Sequence, residues 1–196
     1  MPERLLVAAL DLFHSQGYHG TGIGQITAVA GVPKGSFYNY FSSKEAMAVA
    51  ALLRYAAESP FALLFDKTVG GPVERVRAHF EAHRDIFVAS GYRRGCLMGA
   101  FATEIADHSE QTRATLTALF NSWGEVVGAV LAEAQAEGAI SAGLDPRSLG
   151  EYIVQSWEGA LIHALATKND APLQVFFDTT FDKLLVPDPG HEGQDG

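Results

Sequence analysis

The chain has 196 residues, which is enough for one large domain or two small ones. Its composition is 47% hydrophobic, 10% aromatic and 19% charged, which is typical of a globular protein and excludes a disordered or fibrous one. The single cysteine excludes an intramolecular disulfide framework and a cysteine-based zinc cage. The longest early apolar run, residues 5–10, is too short for a signal-peptide core or a membrane span, so we expect a cytoplasmic protein without a membrane partner.

The formal net charge of −9 is unevenly distributed along the chain. Residues 1–56 carry a net charge of +1, whereas the remaining residues carry −10. Such asymmetry indicates two functions in one chain. We therefore predict a first domain over 1–56, an acidic second domain over 57–186, and a disordered polar tail over 187–196.

Apolar residues recur at helical spacing along almost the whole chain, and strand patterns are missing. The sequence therefore predicts an all-α fold of about nine helices. We expect the first helix to begin at Pro2 and to end near Gly17, and a later one to open with a capping box formed by Ser42 and Glu45. The predicted buried face of the first helix consists of Leu5, Ala8, Ala9, Leu12 and Phe13.

The later helix boundaries follow from proline, glycine and capping residues. One helix should begin at Pro72, another should run over about 96–107, and Ser109 should cap a long helix that ends near Gly138. The last two helices should begin at the pairs Asp145-Pro146 and Ala171-Pro172.

Residues 24–41 have the pattern of a helix-turn-helix, in which two short helices flank a turn at Gly31. We expect the apolar side chains of Ile26, Val29, Val32, Phe37 and Phe41 to face the core. The side chains left outside carry hydroxyl, amide and amine groups suited to phosphate oxygens and base edges, and they belong to Lys34, Ser36, Tyr38, Asn39 and Tyr40. Gly35 near the start of the second helix allows the backbone to approach a phosphate.

The run from Thr21 to Phe41, followed by Ser43-Lys44-Glu45, resembles the TetR/AcrR family of transcriptional regulators. Thr27 and Pro33 depart from residues that are common in that family, and Arg4 alone remains of a basic N-terminal arm. The resemblance implies a recognition helix in the major groove of a palindromic operator, and a homodimer formed by the last two long helices. The candidate DNA-binding residues are Thr21, Gln25, Lys34, Gly35, Ser36, Tyr38, Asn39, Tyr40 and Lys44.

Cys96 follows two arginines and lies at the predicted start of a helix, and both features lower the pKa of a thiol. The run Gly-Cys-Leu-Met-Gly looks like a branch of the same family that includes regulators responsive to electrophiles. That resemblance implies that Cys96 is a sensing residue with Lys168 as a neighbour. The alternative is that Cys96 is a small buried hydrophobic residue.

Four further residues are candidates for an effector site, although each is equally consistent with the core: Phe101, Trp123, Trp157 and His163. His79 and His83 are four residues apart, the spacing of a two-histidine metal site, but we expect them on a solvated helix surface. The sequence predicts no metal, no cofactor and no catalytic residue.

The sequence therefore predicts a homodimeric DNA-binding repressor that responds to a small-molecule ligand or an electrophile. The alternatives are an activator of the same fold, a metal-responsive regulator, and an all-α ligand-binding protein that does not bind an operator.

Overall fold

A computed structural model describes residues 1–187, and over that range it contains nine α-helices and no strand, which confirms the all-α prediction. The α-helices are α1 (Pro2–Gly20), α2 (Ile23–Val29), α3 (Lys44–Glu58), α4 (Ala62–Phe65), α5 (Pro72–Ala89), α6 (Leu97–Glu104), α7 (Glu110–Ala136), α8 (Pro146–Thr167) and α9 (Ala171–Thr179). A 3₁₀ helix, Lys34–Asn39, follows α2, and a π-helical turn, Thr180–Leu184, follows α9. The predicted tail lies outside the described residues, apart from Pro187.

The chain folds into two compact units. Unit 1 combines Met1–Ser59 with Arg93–Leu119, and unit 2 combines Pro60–Tyr92 with the described residues from Phe120 onward. Residues 93–119 therefore pack with the first 59 residues, which the linear division at residue 56 did not predict. The boundary at 119–120 falls inside α7.

The core of unit 1 is built from one face of α1 packed against α2, α3 and α6. The five buried residues of α1 are those that the sequence predicts: Leu5, Ala8, Ala9, Leu12 and Phe13. Ile26 and Phe37 are fully buried in the same unit, as expected. Val29 is 60% exposed, so its predicted place in the core is wrong, because α2 ends at this residue and its last side chain faces outward.

The predicted end of the first helix near Gly17 coincides with a break in α1, where Gly17 has φ of 74° and ψ of 174°, and a further turn continues to Gly20. The predicted cap of α3 needs correction. The cap of α3 is Ser43 rather than Ser42, because the Ser43 Oγ accepts the hydrogen bond from the Ala46 amide at 3.0 Å. The Glu45 carboxylate accepts instead from the hydroxyl of Ser109, the residue that also caps α7 through the Thr112 amide.

Residues Lys44–Phe65 are long and apolar enough to cross a membrane, which the search for apolar runs missed. The stretch is not one helix, because α3 ends at Glu58 and Ser59 has extended backbone. The apolar face of α3 is buried on α1 inside unit 1. The buried share of the apolar window is 22%, and on α3 it consists of Met47, Ala48, Ala51 and Leu52.

Unit 2 contains α5, α8, α9 and most of α7. Asp145 and Pro146 begin α8 as predicted, since the Asp145 carboxylate accepts from the Ser148 amide at 2.9 Å. α7 and α8 cross in close contact, because a Cβ on Gly150 would lie only 2.4 Å from the Gly124 carbonyl oxygen. The aromatic side chains of α5, α7, α8 and α9 fill the core beside this crossing: Phe80, Trp123, Trp157, Phe176 and Phe177.

Candidate DNA-binding and effector sites

The 3₁₀ helix Lys34–Asn39 presents polar and aromatic side chains around one buried anchor. Phe37 is fully buried and packs on Phe41, with ring centroids 5.8 Å apart. Tyr38 and Tyr40 are 59% and 44% exposed, and Lys34 and Asn39 are also exposed. A single apolar anchor therefore leaves the neighbouring side chains free to meet phosphates and base edges.

The glycines of this region have two different roles. Gly31 has φ of 63°, the left-handed conformation that favours glycine, and forms the turn between α2 and the 3₁₀ helix. Gly35 has open space where a Cβ would lie, so the fold does not require glycine there. Its lack of a side chain is consistent with close approach of a ligand to the backbone.

Three predicted DNA-binding residues are engaged within the protein. Thr21 is 1% exposed and donates a hydrogen bond to the Gly17 carbonyl at 2.8 Å, so its side chain does not lie on the outer surface as we expected. The Gln25 side chain is exposed but accepts from the Gly22 amide at 2.8 Å, which caps α2. Ser36 is half-buried, and its hydroxyl donates to the Pro33 carbonyl at 2.5 Å.

Lys44 is half-buried at the start of α3, and its Nζ lies 4.1 Å from the centroid of the Tyr18 ring. This cation–π contact fixes the direction of a side chain that would otherwise be mobile. Burial lowers the pKa of Lys44, and the negative charge of Glu104 opposes that shift.

Cys96 is half-buried at the residue that precedes α6. The loop before it is attached to α1 by two contacts: the ion pair between Arg94 and Asp11, and the hydrogen bond of 2.5 Å that the His14 Nε2–H donates to the Gly95 carbonyl. Burial lowers the pKa of His14, and the hydrogen bond to Gly95 opposes that shift. The predicted neighbour Lys168 belongs to unit 2, where its ammonium donates to the Tyr92 carbonyl at 2.7 Å.

The four predicted effector residues are divided between the two units. Phe101 lies in unit 1, fully buried, with its ring 5.3 Å from that of Phe13. His163 is exposed on α8 rather than buried on an apolar face. Trp123 and Trp157 do share one site in unit 2, where both rings contact Phe80.

The expectation that His79 and His83 lie on a solvated surface is wrong, because α5 buries His79 completely and leaves His83 half-buried with its Nε2 enclosed. His79 is fully buried: its Nδ1–H donates to the Pro60 carbonyl at 3.1 Å, and its Nε2 accepts from the Trp123 indole at 2.9 Å. The His83 ring lies 4.8 Å from that of His79 and 5.4 Å from that of Trp123, and its buried Nε2 has no hydrogen-bond partner. Burial lowers the pKa of His79 to about 4 and that of His83 to about 3, so both are neutral near pH 7.

Arg75 extends this buried polar row by one turn, and the sequence reasoning missed it. Its guanidinium is 2% exposed, and it donates to the Leu64 carbonyl at 2.7 Å and to the Glu133 carboxylate at 2.5 Å. The spacing of 75, 79 and 83 was the available signal, since residues four apart share a helix face. Among residues 1–187, no cluster of three metal-ligating side chains occurs.

The surface of α8 and α9 carries an open groove of about 660 Å³. Its lining includes Tyr152, Gly159, His163 and Val175. Tyr152 and Val175 are 52% and 64% exposed, which is a large exposure for apolar side chains. This groove lies on the two helices that the sequence analysis assigns to the homodimer.

Two family models together match most of the chain. The model described as bacterial regulatory proteins, tetR family, matches residues 5–51. The model described as tetracyclin repressor-like, C-terminal domain, matches residues 72–180.

Named relatives and solved structures agree with these matches. The chain is 32% identical to the HTH-type transcriptional repressor DhaR of Mycobacterium sp. (strain GP1) over 93% of its length and 91% of that protein. It is 30% identical to the HTH-type transcriptional repressor NemR of Escherichia coli over 88% of its length and 87% of that protein. The structure of the reduced form of E. coli NemR superposes with a TM-score of 0.85 at 26% identity, covering 95% of this chain and 97% of that one. The regulatory protein TetR from Rhodobacter sphaeroides superposes with a TM-score of 0.85 at 31% identity, covering 92% of this chain and 97% of that one.

Proposed function

Because this chain belongs to the TetR family of bacterial regulatory proteins, we propose that it is a cytoplasmic, homodimeric repressor whose DNA binding responds to a small molecule. The observation that carries the proposal is the exposed set of Lys34, Tyr38 and Asn39 around the buried anchor Phe37. The names of DhaR and NemR support repression rather than activation. DhaR and NemR are both regulators, and we propose no enzymatic activity for this chain.

The DNA contacts divide into two groups by chemistry. Lys34, Lys44 and Tyr38 position the protein on phosphates, because an ammonium or a phenol donates to phosphate oxygens of any sequence. Ser36, Asn39 and Tyr40 read base edges, and the Asn39 amide matches the donor and acceptor of adenine. Two copies of the 3₁₀ helix, about 34–36 Å apart, would reach successive major grooves of a palindromic operator.

The groove on α8 and α9 supports a homodimer through these helices. Its exposed apolar residues, Tyr152 and Val175, would lose their contact with water against a second copy. The polar side chains of Ser156, Thr167 and Asn169 in the lining carry no charge, which suits self-association better than binding of a charged partner.

Two regions are candidates for effector action, and each rests on a different observation. In unit 2, the unpartnered Nε2 of His83 beside Trp123 offers one buried polar atom among aromatic rings. In unit 1, Cys96 lies at the start of α6, directly after a loop that is attached to α1. The similar structure of E. coli NemR is that of a reduced form, which supports a redox response of the cysteine in this chain.

The first test measures binding to duplex DNA from upstream of the protein's own gene, with an unrelated duplex as the control. The same binding is then measured for Cys96→Ser, with and without N-ethylmaleimide. Release of wild type but not of the serine variant assigns the response to Cys96. If both proteins stay bound to DNA after treatment, the effector site is expected in unit 2. If the untreated protein binds the two duplexes equally well, the proposed function is contradicted.

Lys44→Ala provides a second test of the DNA-binding surface. We expect weaker binding to all duplexes alike, with the slope of log K against log salt reduced by about 0.9, because one phosphate contact is lost. An unchanged slope would contradict the role proposed for Lys44.

A further inference from the structure

The C-terminal residue of α6, Glu104, is bound to the end of α1 through two hydrogen bonds, and His19 donates both of them. The His19 amide donates to the Glu104 Oε2 at 3.0 Å, and the His19 Nε2–H donates to the Glu104 carbonyl at 3.1 Å. Both residues lie in unit 1, although 85 residues separate them in sequence. The contact therefore connects α6 to the helix that leads into the helix-turn-helix.

The break at Gly17 explains why a carboxylate lies at this position. Non-helical backbone at Gly17 removes the regular hydrogen bonds of the amides that follow, in the way that a helix start does. The Glu104 carboxylate satisfies one of these amides and carries the charge that a helix start favours. It also fills the space beside the glycine, since a Cβ on Gly17 would lie 2.5 Å from the Glu104 Oε1.

The same end of α1 holds a predicted DNA contact in place. Tyr18 lies between Gly17 and His19, and its ring receives the Lys44 ammonium at 4.1 Å. Phe101, one turn before Glu104 on α6, packs edge-on against that ring with centroids 5.9 Å apart. The negative charge of Glu104 acts directly on Lys44, where it favours the protonated amine.

Building on the function proposed above, we propose that Glu104 is a positioning residue for DNA binding. It fixes the end of α1, so that Tyr18 holds the Lys44 ammonium where a DNA phosphate would be contacted. α6 begins directly after Cys96, so any event that displaces α6 would also withdraw Glu104 from this end of α1.

A purely electrostatic role for Glu104 predicts the opposite sign. A carboxylate near a DNA-binding surface repels phosphates, so its removal would then strengthen binding. A positioning role predicts weaker binding on removal, because Lys44 loses its fixed direction. The sign of the change therefore separates the two roles.

The test compares Glu104→Ala and Glu104→Gln with the matched control Asp107→Asn, which removes an exposed carboxylate three residues further along the chain. We expect Glu104→Ala to weaken operator binding about tenfold and to lower the salt slope by about 0.9, as loss of one phosphate contact does. Glu104→Gln keeps an oxygen that accepts from the His19 amide, so about a threefold loss is expected. Asp107→Asn should leave binding unchanged or slightly stronger.

A double-mutant cycle with Lys44→Ala gives a readout that a general loss of stability would not change. In the Lys44→Ala protein, Glu104→Ala should have no further effect on DNA binding, because the contact that it positions is already absent. Independent, multiplicative effects of the two substitutions would overturn the proposal, as would tighter binding by either Glu104 variant. If Glu104→Ala does not fold, Glu104→Gln gives the same cycle. Failure of wild type to bind operator DNA would instead contradict the proposed function itself.

Discussion

Units 1 and 2 place their polar side chains in opposite environments. In unit 1 the residues proposed to bind DNA are nearly contiguous in sequence, from Lys34 to Lys44, and all but the half-buried Ser36 and Lys44 are exposed. In unit 2 the unusual polar groups form a row on α5 that consists of the buried residues Arg75 and His79 and the half-buried residue His83. The exposed arrangement in unit 1 suits binding of a large polyanion at the surface. The buried arrangement in unit 2 suits either a core in which polar groups must be hydrogen-bonded or a small ligand that enters that core.

The cost of each arrangement also differs. The exposed ring of Tyr38 does not contribute the stability that a buried aromatic ring would provide. Its position therefore benefits the protein only when a partner covers the ring. Burial of His79 would cost stability if either ring nitrogen lacked a hydrogen-bond partner. The Pro60 carbonyl and the Trp123 indole supply both partners.

The largest expected effect tests whether the aromatic cluster is the cooperative core of unit 2. Phe80 is fully buried and contacts Trp123, Trp157 and Phe176, so Phe80→Ala should lower the free energy of unfolding by about 3–5 kcal/mol, as large cavities in a core do. The matched control Phe65→Ala removes a ring that is 61% exposed and should change it by no more than about 0.5 kcal/mol. Urea unfolding followed by tryptophan fluorescence measures both. If both variants lost similar amounts of unfolding free energy, the aromatic cluster would not be the core of unit 2.

The buried histidines should make stability depend on pH. Above pH 6.5 both histidines are neutral in the folded and in the unfolded protein. Below pH 6.5 the imidazoles of the unfolded protein bind protons. In the folded protein His79 stays neutral down to about pH 4 and His83 down to about pH 3. The free energy of unfolding should therefore fall between pH 6.5 and pH 4, by at most about 1.4 kcal/mol per pH unit for each histidine. His79→Phe should reduce this slope, and His163→Gln, at an exposed site, should not. Equal slopes for all three proteins would contradict neutral burial.

The sequence predicted several helix boundaries and one buried helix face correctly because their signals are local. The buried face of α1 follows from apolar spacing, and the caps at Asp145 and Ser109 follow from residue type alone. Exposed Tyr38 and Asn39 were recognised because such residues are unusual on a helix that faces only water.

The buried polar row and the Glu104 contact were not predicted, because each depends on partners distant in sequence. His79 is satisfied by Trp123, 44 residues away, and Glu104 meets His19 across 85 residues. Helical spacing alone placed His79 and His83 on the same helix face, but it does not indicate whether that face is exposed to solvent or buried. The break near Gly17 was predicted from the glycine, whereas the Glu104 carboxylate that lies beside that glycine was not.

A smaller effect tests base recognition in unit 1. Asn39→Ala should weaken binding to the operator by about 1–3 kcal/mol and relax discrimination at one base pair, because a bidentate amide contact to adenine is lost. The matched control Asn121→Ala removes an exposed amide from α7 in unit 2 and should leave operator affinity unchanged. Competition with single-substitution operators measures both changes. Equal weakening on every duplex would make Asn39 a phosphate contact.

The smallest expected effect separates glycines required by DNA from glycines required by the fold. Gly35 has open space where a Cβ would lie, so Gly35→Ala should preserve stability or raise it by about 0.4–1 kcal/mol. The same substitution should weaken DNA binding, because the new methyl group would collide with the phosphate backbone. Gly31→Ala should instead cost about 1–2 kcal/mol of stability, because φ of 63° is unfavourable for alanine and its Cβ would lie 2.7 Å from the Arg4 Nη2. Thermal unfolding and operator titration of the two variants distinguish these roles. Unchanged DNA affinity in Gly35→Ala would mean that no phosphate approaches this backbone closely, and the contact surface would then shift toward Tyr38 and Lys44.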